Sequence, residues 1–223
     1  MVVYLDGANL KDMKAYVNKV AGFTTNPTLM KQAGMTDYKS FARAAIAESC
    51  GKPISFEVFA DTPVPMIKQA TTVAGWGDNV YVKIPAKFTD GLPTSYVIHT
   101  LAREGVKLNV TAVMSLQQIR ELCRELTDTP AILSIFAGRI ADTGRDPVPF
   151  FTDATRVKHG NTKLLWASPR EVLNVKQAEM AGADIITLTP DLIKKMSLFG
   201  KSLEEYSLET CKMFYEDAKD LVI

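Results

Sequence analysis

Val80-Tyr81-Val82-Lys83-Ile84-Pro85 is the stretch on which the reading of this chain turns. It is a β-branched and aromatic run stopped by a proline. The residues before it, Ala74-Gly75-Trp76-Gly77-Asp78-Asn79, are rich in turn formers, so a short buried parallel strand is expected. Lysine is among the side chains least often buried, because its ammonium loses hydration and needs partners. At the end of such a strand, Lys83 is either a snorkelling surface residue or a desolvated amine able to attack a carbonyl. The run alone leaves both readings open.

Outward from it, short apolar runs alternate with helical periodicities along the whole chain. Strands are expected at Val2–Asp6, Gly22–Pro27, Ile54–Phe59, Val80–Pro85, Val106–Val113, Ala131–Phe136, Lys163–Ser168 and Ala183–Leu188. Helical spacing is expected over Leu10–Val17, Leu29–Met35, Tyr38–Cys50, Pro65–Val73 and Leu92–Glu104. It continues over Leu116–Leu126, Pro149–His159, Arg170–Met180, Pro190–Met196 and Leu203–Leu221. Eight strands alternating with helices predict one (β/α)8 TIM barrel over residues 1–223, with 203–221 as an extra C-terminal helix. An open doubly wound sheet is the competing arrangement. It is weakened because no Gly-rich phosphate loop follows a strand.

The bulk properties exclude several classes. A hydrophobic fraction of 47% is enough for a substantial core, and a net charge of +1 with 23% charged residues leaves no nucleic-acid footprint. The cysteines Cys50, Cys123 and Cys211 are far apart with no metal-like spacing, which predicts reduced thiols, no metal and a cytoplasmic protein. The N-terminus runs straight into Val2-Val3-Tyr4-Leu5-Asp6, so neither a signal peptide nor a membrane span is expected.

Side chains alternate along a strand, so one parity faces the barrel interior and the other the helices. Placing the apolar parity outward leaves Tyr81 and Lys83 inside, and Tyr4 with Asp6 in the first strand. It leaves Thr24 and Asn26 inside in the second, and Ser55, Glu57 and Phe59 in the third. Asn109 with Thr111, Ser134 with Phe136, and Trp166 with Ser168 follow in strands five to seven. Polar groups thus gather near the carboxyl ends of seven strands, the rim where barrel enzymes carry their catalytic residues.

An inward lysine without a metal-like ligand cluster suggests a Schiff base with a ketone or aldehyde. Glu57 and Thr111 could hold a relay water for loss of the carbinolamine hydroxyl, and Asp6 is the candidate base for carbon–carbon cleavage. Asn26, Asn109 and Ser134 could hold sugar hydroxyls. Arg139 and Arg170, just beyond strands six and seven, could grip an anionic group. One tension stands: Glu57 close to Lys83 favours the ammonium, whereas attack needs the free amine, and burial is expected to win. His99 and His159 are expected to be structural or exposed, and Lys87 to be a solvated loop lysine.

Tyr4-Leu5-Asp6, Gly22-Phe23-Thr24-Thr25-Asn26-Pro27, Val82-Lys83-Ile84-Pro85, Asn109-Val110-Thr111, Ser134-Ile135-Phe136-Ala137-Gly138-Arg139 and Ala167-Ser168-Pro169-Arg170 carry a resemblance. The chain resembles the class I, Schiff-base-forming transaldolase family, in its short subfamily that also contains fructose-6-phosphate aldolase. That resemblance implies Lys83 as the Schiff-base lysine, Asp6 as the acid/base, and Glu57 with Thr111 as holders of the catalytic water. It implies Asn26, Asn109 and Ser134 on the dihydroxyacetone unit, with Thr24 and Phe136 also in the substrate site. Arg139, Ser168 and Arg170 would hold the phosphate.

The resemblance further implies no metal or organic cofactor. Sugar phosphates are the implied partners, and the oligomer is ring-based, commonly a decamer, with the C-terminal helix reaching a neighbour. Transaldolases are similar to this chain in having Glu and Phe at the places of Glu57 and Phe136, where the aldolases have Gln and Tyr. Ser168-Pro169-Arg170 departs from the longer Ser-Phe-Lys stretch of the short aldolases. Three expectations stand: a transaldolase moving dihydroxyacetone between sugar phosphates, an aldolase releasing it, and a catalytically silent sugar-phosphate-binding barrel.

Overall fold

The computed structural model describes residues 1–32, 34, 36–126 and 129–221. Eight strands pair in parallel in chain order and close on themselves: β1 (Val2–Asp6), β2 (Gly22–Thr24), β3 (Ile54–Glu57), β4 (Val80–Pro85), β5 (Leu108–Val113), β6 (Ala131–Ile135), β7 (Thr162–Trp166) and β8 (Ile185–Leu188). The expected (β/α)8 barrel is the observed fold. Around it run α1 (Leu10–Tyr16), α2 (Pro27–Gln32), α3 (Tyr38–Glu48), α4 (Pro63–Ala74), α5 (Ser95–Arg103) and α6 (Leu116–Glu125). The set is completed by α7 (Ala137–Asp142), α8 (Pro147–Val157), α9 (Leu173–Met180), α10 (Pro190–Lys195) and α11 (Leu203–Ala218).

Local chemistry sets the boundaries. Ser115 and Gln118 form a reciprocal capping box at the start of α6, satisfying backbone donors that the first turn leaves free. Prolines open α4, α8 and α10, where a missing N–H costs nothing. Gly105 ends the α5 segment with a φ of 75°, a conformation glycine adopts without strain, and turns the chain into β5. The expected start of α5 at Leu92 is corrected to Ser95. The Thr94 hydroxyl donates to the Pro85 carbonyl at 2.6 Å and Lys87 bridges to Pro93, holding that stretch against the end of β4. The expected helix from Leu29 is seen as α2; its expected end, Met35, lies outside the described residues.

Two apolar clusters make the core. The larger fills the layer between sheet and helices, with Leu5, Phe23, Phe56, Val82, Ile84, Val110 and Leu133 from the strands. The smaller plugs the barrel interior with Tyr4, Ile132, Leu165, Ala167 and Ile185, against which Tyr81 and Phe136 pack.

Strand seven reverses the expected parity. Leu165 and Ala167 point inward, and Trp166 faces the helices, its ring 5.2 Å from that of Phe151 on α8. The indole needs the volume of the sheet–helix layer, which the packed interior cannot offer. Phe59 also departs from expectation. β3 has ended at Glu57, so Phe59 escapes the strand's alternation and stacks on Tyr38 with centroids 4.8 Å apart, half exposed.

Helix α11 contributes no buried residue, and Leu203, Leu208, Phe214 and Tyr215 along it are exposed. Among the described residues, no helix is long and apolar enough to cross a membrane.

Candidate active site

The β4 strand carries Lys83 into a cavity of about 450 Å³ at the carboxyl ends of the strands. The register sets Glu57 of β3 directly beside Lys83, so equal parity puts both side chains on the interior face. Lys83 is 6% exposed; its Nζ lies 3.2 Å from Glu57 Oε2 and donates to the Thr25 carbonyl at 3.1 Å. The amine therefore sits in an ion pair. Glu57 and the Thr25 carbonyl both face the amine as acceptors, so the tension between pairing and burial expected from the sequence is built into the site.

Asp6 stands at the end of β1 on the same cavity wall. Desolvation raises its pKa above the usual aspartate value. The positive charge of Lys83 and a 2.7 Å hydrogen bond from the Thr24 hydroxyl pull the other way without cancelling the rise. A carboxyl so placed keeps its proton to a higher pH than an exposed aspartate does.

Thr111 owes its position to a bulge. Val110 of β5 sits opposite Leu133, but Val113 sits opposite Ile135, so β5 holds one residue more than β6 over that span. Ala112 takes up the excess with a φ of 58°, strained for a residue with a Cβ. The Thr111 hydroxyl lies on the cavity wall, buried, with no hydrogen-bond partner among the described residues. An unpaired buried hydroxyl costs free energy, and a water or a substrate oxygen would relieve it.

Ser134 also lines the cavity and donates to Asn109 Oδ1 at 2.7 Å. Asn109, fully buried, passes the network on to Ser55 at 3.0 Å. Asn109 thus stands one step behind the wall and supports Ser134 from below. Asn26 is on the wall itself, its Oδ1 accepting the Leu29 backbone N–H at 2.9 Å.

Phe136, Arg139 and Ser168 also line the cavity. The Arg139 guanidinium lies 5.3 Å from the Phe136 ring centroid, and among the described residues it makes no salt bridge. Arg139 is carried by α7, a six-residue helix that is not among the helices expected from the sequence. A Cβ on Gly138 would lie 1.6 Å from the Ser168 carbonyl oxygen, so only glycine lets α7 approach the β7 end so closely. Ser168 reaches the cavity with a φ of 62°, which breaks the strand alternation after Ala167.

Arg170 is not among the cavity-lining residues. Its Nε donates to Asp142 Oδ1 at 3.0 Å and its Nη2 to Asp142 Oδ2, a paired fork that lowers the Asp142 pKa. Of the twelve predicted site residues, ten line the cavity; Asn109 sits behind it and Arg170 faces Asp142. Thr187 of β8 is not among the site residues expected from the sequence. It lines the cavity and lies 2.5 Å from the Thr24 hydroxyl. The alternation in Ile185-Ile186-Thr187-Leu188, with Ile185 inward, carried the signal for it. His99 pairs with Glu125 at 2.8 Å on the outer helices, away from the cavity.

The fold and the site together define a (β/α)8 barrel whose mouth holds a buried lysine paired with a carboxylate, and an aspartate. The family described as Transaldolase/Fructose-6-phosphate aldolase matches residues 3–223, and the chain belongs to it. A protein named probable transaldolase from Dehalococcoides mccartyi is 36% identical over 201 residues, 88% of this chain and 90% of that one. Another from Streptococcus equi subsp. zooepidemicus is 33% identical over 224 residues, 97% of each chain. The solved 3-hexulose-6-phosphate synthase from Salmonella typhimurium superposes with a TM-score of 0.61 at 14% identity, covering 85% of this chain and 89% of its own. Orotidine 5'-phosphate decarboxylase from Pyrococcus horikoshii follows at 0.59 and 18% identity, covering 83% and 88%. These two share the fold alone.

Proposed function

We propose that the protein is a transaldolase that moves a dihydroxyacetone unit between sugar phosphates through a Schiff base on Lys83. The donors would be fructose 6-phosphate or sedoheptulose 7-phosphate, and the acceptors erythrose 4-phosphate or glyceraldehyde 3-phosphate. The observation that carries the reading is the pair of the buried Lys83 with Glu57 at 3.2 Å, facing a cavity that Asp6 also lines.

In the proposed reaction the Lys83 ammonium gives a proton to Glu57, and the freed amine attacks the ketose C2 carbonyl. Glu57 returns a proton to the carbinolamine hydroxyl, which leaves as water held by the Thr111 hydroxyl. The iminium then draws electrons from the C3–C4 bond. Asp6 takes the C4 hydroxyl proton as that bond breaks, and the aldose phosphate departs as an aldehyde. The three-carbon enamine stays on Lys83 and attacks the acceptor aldehyde, Asp6 returning its proton to the new hydroxyl. Water then hydrolyses the iminium.

In this account Asn26 and Ser134 hold the dihydroxyacetone hydroxyls, with Asn109 fixing the Ser134 rotamer. Arg139 and Ser168 hold the phosphate. Arg170 joins them only when phosphate displaces Asp142.

Retention of the enamine rests on what surrounds it. Glu57 keeps a carboxylate beside the nitrogen, and Phe136 puts an apolar edge in the cavity where a phenol would supply a proton to the enamine carbon. The test follows fructose 6-phosphate turnover with and without erythrose 4-phosphate. Transfer requires that the three-carbon unit reach the acceptor and that little free dihydroxyacetone form, with Phe136→Tyr raising that release. Donor cleavage that ignores the acceptor in the wild type would overturn transfer in favour of an aldolase.

We further propose that the chain works as a homo-oligomer in which the exposed apolar face of α11 packs on a neighbouring copy.

A further inference from the structure

Three side chains beneath the cavity rim form a line, of which the reaction above uses only Asp6. The Thr24 hydroxyl is 2.7 Å from Asp6 Oδ1 and 2.5 Å from the Thr187 hydroxyl. Thr24 and Thr187 are 2% and 4% exposed, so water has little access to either. The strand register explains the meeting: Asp6 of β1 pairs with Thr24 of β2, while β8 flanks β1 on its other side with Thr187 opposite Tyr4.

Counting protons fixes the direction. An ionised carboxylate can only accept, and each hydroxyl has a single proton. Thr24 spends its proton on Asp6, so the short contact between the threonines is a hydrogen bond only if Thr187 donates to Thr24. We propose that Thr187 is a positioning residue for Asp6: its proton goes to the Thr24 oxygen and thereby commits the Thr24 proton to the carboxylate. This rests on the reading of Asp6 as the acid–base group. The chemistry is that of a polarised hydroxyl chain, in which each bond strengthens the next by roughly 10–30%.

The arrangement has a functional consequence. One carboxylate oxygen is held in place by Thr24, leaving Oδ2 to collect the substrate proton. The other charged groups around Asp6 are few. Lys83 from β4 favours the carboxylate, and Glu57 from β3 is itself paired to Lys83. Arg139 from α7 lies on the same cavity wall. β2 and β8, which flank β1, contribute only the two threonine hydroxyls, since Asp184 before β8 is paired with Lys158. Thr24 and Thr187 are thus the local means of adjusting the aspartate.

The test titrates Asp6 directly, by carboxyl carbon-13 NMR on the full-length protein without substrate. Its outcome is therefore independent of whether sugars are turned over. Thr24→Val removes a hydrogen bond to a charged group and is expected to raise the Asp6 midpoint by about one pH unit. Thr187→Val removes only the polarising donor and should raise it by ~0.3 pH unit. Thr187→Ser keeps the hydroxyl and should restore the wild-type midpoint, even if its packing differs. A Thr187→Val midpoint equal to wild type, with Thr24→Val shifted, would overturn the proposal and leave the transaldolase reading standing. A Thr187→Ser midpoint that matches Thr187→Val would overturn it as well, because packing alone would then account for the change.

Discussion

At the scale of single residues, the site depends on one amine and one carboxyl whose environments differ. Lys83 is flanked by acceptors, whereas Asp6 is desolvated, opposed by the charge of Lys83 and by one hydrogen bond from the Thr24 hydroxyl. The raised Asp6 pKa has a sign that can be checked. As base it must be ionised, so activity should rise with pH on a limb lying above ~4, the ordinary aspartate value. The folded protein binds that proton more tightly than the unfolded chain, so this group lowers stability as pH rises through the same window. Asp6→Asn should abolish turnover while unfolding no more easily than wild type in urea at neutral pH. Loss of stability in that variant would contradict the assignment of a net unfavourable burial. The polar residues of this site were legible because strand alternation separates them from their apolar neighbours. Trp166, Phe59 and Thr187 were not. Alternation says which residues share a face, but the face itself is set by packing volume, as the indole on Phe151 demonstrates.

At the scale of elements, strands and long helices followed their patterns closely, and the departures have local causes. Helix α7 escaped notice because six residues are too few for a periodicity, yet it carries Arg139. The bulge in β5 could not be read either, because it is a relation between two strands and leaves no mark on one sequence. Helix α11 was visible from its pattern, and what it lacks in the structure is a surface to pack on. It buries nothing against its own barrel, so removing 203–223 should leave the barrel folded. Sedimentation should then show a multiple of the chain mass for the full protein and a smaller species for the shortened one. Equal assembly of both would contradict the role given to this helix.

At the scale of the whole molecule, closure of the barrel turns eight separate strand ends into one site. Glu57 and Lys83 are 26 positions apart in sequence, yet the β3–β4 register makes them neighbours. The alternation of strands and helices foretold the closed sheet because parallel strands need helical crossovers, and eight of them suffice to close a filled barrel. What alternation does not contain is the immediate surroundings of the Lys83 nitrogen, set by the approach of Glu57 and of the Thr25 carbonyl. The chemistry of that nitrogen is the centre of the proposed reaction. Reduction with borohydride in the presence of fructose 6-phosphate, followed by peptide mapping, tests it most directly. A covalent adduct confined to the peptide carrying Lys83, and lost in Lys83→Met, is the predicted result. No adduct at saturating sugar phosphate, or an adduct on another lysine, would contradict it.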